Sequence, residues 1–199
     1  MRRADPQLHQ QRRLQILEGA ERCFRSKGFH QASMQDIANE SGVSMGLLYR
    51  YFANKEAIVV SFADSDSAEL VSLLAEFAAS SSPLELWPGI LRRMLKEASE
   101  PDYVRITTEV FAEALRNPKL FESLVQSDDT VRRALIDAIK AQQSAGRMVA
   151  QLDPIVAADI LMGMIDGVGL RACLVRQFKP RAIERHIQDL VRPWFVAPA

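Results

Sequence analysis

Net charge is missing from this chain: 25 lysines and arginines are balanced by 25 aspartates and glutamates across 199 residues. That balance excludes a uniformly basic, non-specific binder of polyanions, so any nucleic-acid contact must come from a local patch. Cysteine is scarce too. Cys23 and Cys173 stand far apart, with no CxxC and no Cys/His spacing of the kind that holds zinc. No metal is expected, and two buried free thiols in a reducing cytoplasm are the simplest expectation. Strand signals are nearly absent, since no stretch sustains apolar–polar alternation with β-branched residues and hairpin turns. A membrane-spanning run is lacking as well, because the most apolar late segment, 155–174, is interrupted by Asp159, Asp166 and Arg171. The opening MRRADPQLHQQRR has basic residues but no apolar stretch behind them, unlike a secretory signal. Catalytic signatures are wanting: His9, His30 and His186 are scattered, and no GxSxG, HExxH, Walker A or dinucleotide glycine motif occurs. Neither an enzyme nor a cofactor is expected.

Helical periodicity, by contrast, runs through almost the whole chain. Leu14, Leu17, Ala20 and Phe24 repeat on one face of a first helix over 8–27, which Gly28 ends. Ser33 caps a short helix with Met34, Ile37 and Ala38 on its apolar face, and Gly42 stops it. Ser44 caps the next, and Asn54 opens a long fourth helix running from 55 towards 80. After the serine-rich loop at 80–83, five more helices are expected near 84–100, 103–116, 119–145, 154–178 and 181–196. Pro101, Pro118, Gly146, Asp153-Pro154 and Pro180 mark their boundaries. The fold class is therefore all-α, with about nine helices.

The window 33–55, SMQDIANESGVSMGLLYRYFANK, has the logic of helix, tight turn, helix. Ala38 is small where two helices cross, Gly42 lets the chain reverse, Val43 plugs the gap, and Ser44 starts a second helix that stands out from the core. Such a helix can enter a major groove. Residues 1–60 carry nine basic and six acidic side chains, a surplus of the sign that contact with DNA requires.

The run IANESGVSMGLLYRYFANKEAIV resembles the helix-turn-helix of TetR-family transcriptional regulators. Ile37-Ala38, Gly42-Val43-Ser44, Gly46, Leu48-Tyr49, Tyr51-Phe52 and Asn54-Lys55-Glu56 carry the match, with Gly28-Phe29 and Ser33 before them. The resemblance implies a DNA-binding domain over 1–60 and a helical effector-binding and dimerisation domain over 61–199, joined by the fourth helix. It implies phosphate contacts from Ser33, Tyr49 and Lys55, and base-edge contacts from Ser44, Met45, Gly46, Leu47 and Arg50. Met45 stands where the family often has lysine, and Leu47 where it often has threonine. This recognition helix thus offers less charge and fewer hydrogen-bonding groups. Arg2, Arg3, Arg12 and Arg13 form a basic arm that either touches DNA or is simply solvated.

Three glycines, Gly163, Gly167 and Gly169, interrupt an apolar helix pattern, each costing about 1 kcal/mol against alanine. Close approach by another backbone, either a helix of the same chain or its copy in a dimer, is the reason to tolerate them. By resemblance, the last two helices build a homodimer interface from Gly163, Gly167, Leu170 and Leu174, with Ile187, Leu190, Val191 and Trp194 from the final helix. A pocket for a small hydrophobic or aromatic effector is expected among Trp87, Met94, Tyr103, Thr107 and Phe111, together with Phe121, Met162, Met164 and Ile165. The expected protein is a cytoplasmic repressor, a homodimer on a palindromic operator in double-stranded DNA. The competing readings are an all-helical protein-interaction module without DNA binding and, behind it, an enzyme of unrecognised type. Salt-dependent DNA binding separates the first two.

Overall fold

The computed structural model describes residues 6–98 and 100–196. Among them run nine α-helices: α1 (Pro6–Lys27), α2 (Met34–Ser41), α3 (Met45–Tyr51), α4 (Lys55–Ala79), α5 (Pro83–Ala98), α6 (Pro101–Ala114), α7 (Pro118–Ser144), α8 (Pro154–Leu174) and α9 (Pro180–Val191). The basic residues Arg2 and Arg3 lie outside the described residues. No helix of the described residues is long and apolar enough to cross a membrane.

Local chemistry sets the helix ends. The side chains of Ser33, Ser44, Asn54 and Asp153 each accept a backbone N–H from the first turn that follows. Gly28, Gly42 and Gly146 take positive φ at the ends of α1, α2 and α7. Five helices, α5 to α9, begin on proline itself, so the expected starts at 84, 103, 119 and 181 were one or two residues late. Proline has no N–H to lose in the first turn, and its fixed φ is already helical. At the other end, α8 stops at Leu174 rather than Phe178, where Val175 turns extended. Pro193 cannot extend the hydrogen-bond ladder of α9, and the chain tightens into a 3-10 turn over Arg192–Trp194.

The chain divides into two compact units. The first comprises Met1–Asp64 with Arg105–Leu124, the second Ser65–Val104 with Val125–Ala199. The first unit thus takes in a later segment of the chain besides the residues up to Asp64. The reason is packing: Val110 of α6 is buried in the same core as Ile16, Phe24, Phe29, Ile37, Leu48 and Ile58, with Ile106 and Leu124 against it.

In the second unit the core gathers Leu74, Phe77, Trp87, Leu91, Leu135, Ile139, Leu161 and Phe195. Phe77, Trp87 and Phe195 meet with ring centroids 6.1–6.4 Å apart, within the range of favourable tilted and edge contacts. Gln142, fully buried, donates its amide to the carbonyls of Phe77, Ala78 and Ser80 and accepts from Arg147. It thereby satisfies carbonyls that the end of α4 leaves open. Of the two cysteines, Cys23 is buried as expected, and its burial raises the thiol pKa. Cys173 is exposed, because it falls on the solvent side of α8.

Candidate nucleic-acid interface

The helix-turn-helix rests on α1. Gly19 and Ser41 meet where α1 crosses α2, and a Cβ on Gly19 would lie 2.6 Å from Ser41 Cα and 2.7 Å from its N. Ser41 is sewn down on both sides: its hydroxyl donates to Ile37 O (2.6 Å), and its carbonyl accepts from Gln15 Nε2 (2.7 Å). The turn follows at Gly42 (φ +64°), whose N–H bonds back to α2 while the Val43 N–H reaches Ala38 O. From there Ser44 starts α3, its Oγ accepting from the Leu47 N–H at 3.2 Å.

On α3 only Leu48 is fully buried, anchoring the helix to the core. Ser44, Gly46, Tyr49 and Arg50 are exposed, and Tyr49 keeps 51% of its surface. Met45 and Leu47 are both half-buried, but Met45 is the one packed against the core cluster. Two of the three assigned phosphate contacts are otherwise engaged. The Ser33 hydroxyl and N–H both donate to the Asp36 carboxylate, in a capping box that also takes the Asp36 N–H. Lys27 and Ser33 hold the Asp36 carboxyl down at about 2, so the box stays charged as pH falls through the ordinary carboxylate range and is lost only near that value. Lys55 Nζ lies 2.8, 3.2 and 3.3 Å from the carbonyls of Phe29, His30 and Ala32 and 4.5 Å from the Phe29 ring centroid. An ammonium has three hydrogens, and all three have protein acceptors here.

The basic surplus is mostly consumed in the same way. Arg22 pairs with Glu40, Arg25 with Glu21 and Lys27 with Asp36. Arg12 donates to Gln15, and Arg13 donates to Ser61 while lying over Phe52. Arg50 is the one cation of residues 6–60 without a partner among the described residues, and it projects from α3. The exposed side of α3 carries a phenol, a guanidinium and a bare glycine.

Comparison with known proteins identifies the family. Residues 16–62 match the family model for bacterial regulatory proteins of the tetR family, and residues 85–194 match the BetI-type transcriptional repressor C-terminal model. The chain belongs to the TetR family. Its members are DNA-binding transcriptional regulators, not enzymes. It is 25% identical over 182 residues to the HTH-type transcriptional repressor Rv1474c of Mycobacterium tuberculosis, covering 90% of each chain. It is 25% identical over 156 residues to the repressor AcnR of Corynebacterium diphtheriae, covering 78% of each. Among solved structures, the regulator FadR of Bacillus subtilis in complex with stearoyl-CoA superposes with a TM-score of 0.74 at 20% identity, covering 89% of this chain and 96% of that one.

This TetR-family chain distributes the expected pocket residues differently from the sequence reading. Trp87 is core, and Met162, Met164, Ile165 and Met94 pack half-buried against the same cluster. Tyr103 is half-buried in the second unit, whereas Thr107, Phe111 and Phe121 belong to the first. Phe111 and Phe121 are exposed, so the grouping of all nine around one cavity is withdrawn. The second unit does contain an apolar void of about 10 Å³, the size of one water molecule. It is lined by Phe77, Leu135, Ile139, Met148 and Leu161, with Trp87 the one member of the expected set. Val191, Trp194 and Phe195 close it from the C-terminal side.

Of the expected dimer contacts, Ile187 and Val191 are buried inside the chain's own core and Trp194 packs on it, so these three are withdrawn. Gly163, Gly167, Leu170, Leu174 and Leu190 are exposed. Of these, Gly163, Gly167, Leu170 and Leu174 form, with Val156 and Ile160, an apolar stripe along α8 at alternating four- and three-residue steps, whereas Leu190 lies on α9. Sequence reasoning missed Gly19, although a glycine inside a helix was the same signal that it used on α8. It also missed Arg105 and Glu109, whose role depends on contacts with residues about 80 positions away.

Proposed function

We propose that the chain acts as a homodimeric repressor, held on an inverted-repeat operator by α3 and released by a small hydrophobic or aromatic effector bound in the second unit. The supporting observation is the α8 stripe. Leu170 and Leu174 leave 55% and 65% of their surface in solvent, and a Cβ on Gly163 or Gly167 would meet nothing within 4 Å. Among the described residues, therefore, nothing requires those glycines to be small. A second copy seated on the stripe supplies the reason and covers the apolar surface. Two copies related by a two-fold axis present two recognition helices, which doubles the sequence that is read.

Tyr49 donates its hydroxyl to a phosphate, and Arg50 addresses a phosphate or a guanine edge. Gly46 and Leu47 lie against base edges, with Leu47 better placed than Met45 for thymine methyl groups. Selection of bound sequences from random DNA gives the operator. Tyr49→Phe should then weaken binding by a similar factor on every sequence, by about 1 kcal/mol. Arg50→Ala should either lower the salt slope by about one or relax preference at one base pair. An Arg50→Ala protein with unchanged affinity, slope and preference would remove α3 from the interface.

The effector reading draws on the apolar walls of the void and on the acyl-CoA complex of the relative. Only two tryptophans occur in the chain, Trp87 and Trp194, and both line the void. An effector that enters by widening this void should shift tryptophan emission and weaken operator binding over the same concentration range. Reciprocal linkage requires operator DNA to weaken the effector by the same factor. Screening acyl and aromatic compounds by fluorescence tests this, and emission that moves without any change in operator affinity would refute release.

A further inference from the structure

We propose that Lys55, Arg105 and Glu109 are positioning residues for operator recognition: they clasp the backbone of the loop between α1 and α2 and so hold the N-terminal end of α2. The inference rests on the reading that α2 and α3 form the DNA-binding face. The loop begins at Gly28 (φ +79°) and ends at Ser33, the cap of α2. From α4, the Lys55 ammonium takes the carbonyls of Phe29, His30 and Ala32. From α6, the Glu109 carboxylate accepts the His30 N–H at 3.2 Å, and Arg105 Nη2 donates to Arg25 O at 2.8 Å, on the last turn of α1. Arg105 and Glu109 lie 3.6 Å apart as an ion pair.

The same side-chain ends also lie close over Gly28. A Cβ there would lie 2.8 and 2.9 Å from the two Glu109 oxygens and 3.0 Å from Arg105 Nη1. The loop is thus gripped by a cation from α4 and an anion from α6, while Arg105, paired with that anion, holds the last turn of α1, all acting on main-chain atoms. Backbone recognition fixes the path of the loop whatever its side chains are. That path sets where α2 begins, and α2 carries α3 through the short turn at Gly42. A lysine engaged in this way orients the reading helices and makes no phosphate contact, which separates its role from a salt-dependent one.

The test uses the full-length protein, its selected operator, and the variants Glu109→Ala, Glu109→Gln and Lys55→Ala. Hydrogen exchange at the His30 amide reports the clasp without DNA. Glu109→Ala should speed that exchange, while Glu109→Gln, which keeps an acceptor oxygen, should retain protection. On the operator, well below the melting temperature, Glu109→Ala and Lys55→Ala should each lose about tenfold in affinity with the salt slope unchanged, and Glu109→Gln should recover most of the loss. Wild-type affinity in Glu109→Ala overturns the proposal, as does a slope lower by about one in Lys55→Ala, the mark of a lost phosphate contact. Equal His30 exchange in wild type and Glu109→Ala overturns it without reference to DNA. Failure of the wild type itself to bind any selected sequence would instead count against the DNA-binding face, with the exchange measurement still deciding the clasp.

Discussion

Replacing Gly19 with valine should abolish operator binding, and replacing it with alanine should lower the melting temperature by about 5–10 °C. In an open helix, glycine to alanine gains about 1 kcal/mol, so the sign of the change is itself diagnostic. At Gly19 the first added carbon meets Ser41 Oγ and the Ser41 backbone, with Cα at 2.6 Å and N at 2.7 Å. A flexible side-chain end can swing away, but these are main-chain atoms at the last residue of α2. Ser41 is further held by the bonds to Ile37 O and from Gln15. Relief requires α2 to lift from α1, and overpacking of this kind costs about 1–3 kcal/mol or more. Valine adds two further carbons at the same point, and the α1–α2 crossing cannot form around them. Circular-dichroism melts and gel shifts read both effects. An alanine variant as stable as wild type would show that the crossing is looser than the geometry requires.

The second large effect is expected on α8. Leu170→Glu combined with Leu174→Glu should convert the proposed dimer to a monomer and weaken operator binding by on the order of 10²–10⁴-fold, the usual gain from linking two sites. Both side chains are already more than half exposed, so charging them leaves the chain's own core intact and the melting curve close to that of the isolated monomer. Gly163→Leu sharpens the test. With nothing within 4 Å of its Cβ, leucine improves helix propensity in the monomer by about 0.8 kcal/mol while obstructing a closely approaching partner. The two predictions therefore oppose each other in sign: Gly19→Ala damages the monomer, whereas Gly163→Leu spares it and damages the assembly. Sedimentation at micromolar concentration reads the outcome. A double-glutamate variant that still sediments as a dimer would move the interface away from α8.

The DNA-binding face was partly legible beforehand, and the line between legible and hidden runs along physical range. Ser33, Ser44, Asn54 and Asp153 cap helices through side-chain atoms bonding two to three residues ahead, an interaction that the local sequence contains complete. The dense pattern from Ile37 to Glu56 located the turn and the recognition helix for the same reason. The motif position of Lys55 says nothing about which acceptors surround it. Three carbonyls from residues 29–32 do so, and the fold brings them there. Met45 and Leu47 look alike as apolar residues, and only the tilt of α3 decides that Met45 is the one turned onto the core.

By itself, then, the sequence determined the order of helices, their caps, the glycine turns and membership of a DNA-binding family, because each of these depends on contacts within one or two helical turns. The tertiary structure alone decided which apolar residues face inward. On α9, Ile187 and Val191 are buried while Leu190 beside them stays in solvent. On α6, Val110 is core while Phe111 keeps 57% of its surface exposed. Periodicity assigns residues to a face of a helix, but which face meets the core depends on how helices distant in sequence pack together, and that packing also gives Gly19, Arg105 and Glu109 their roles.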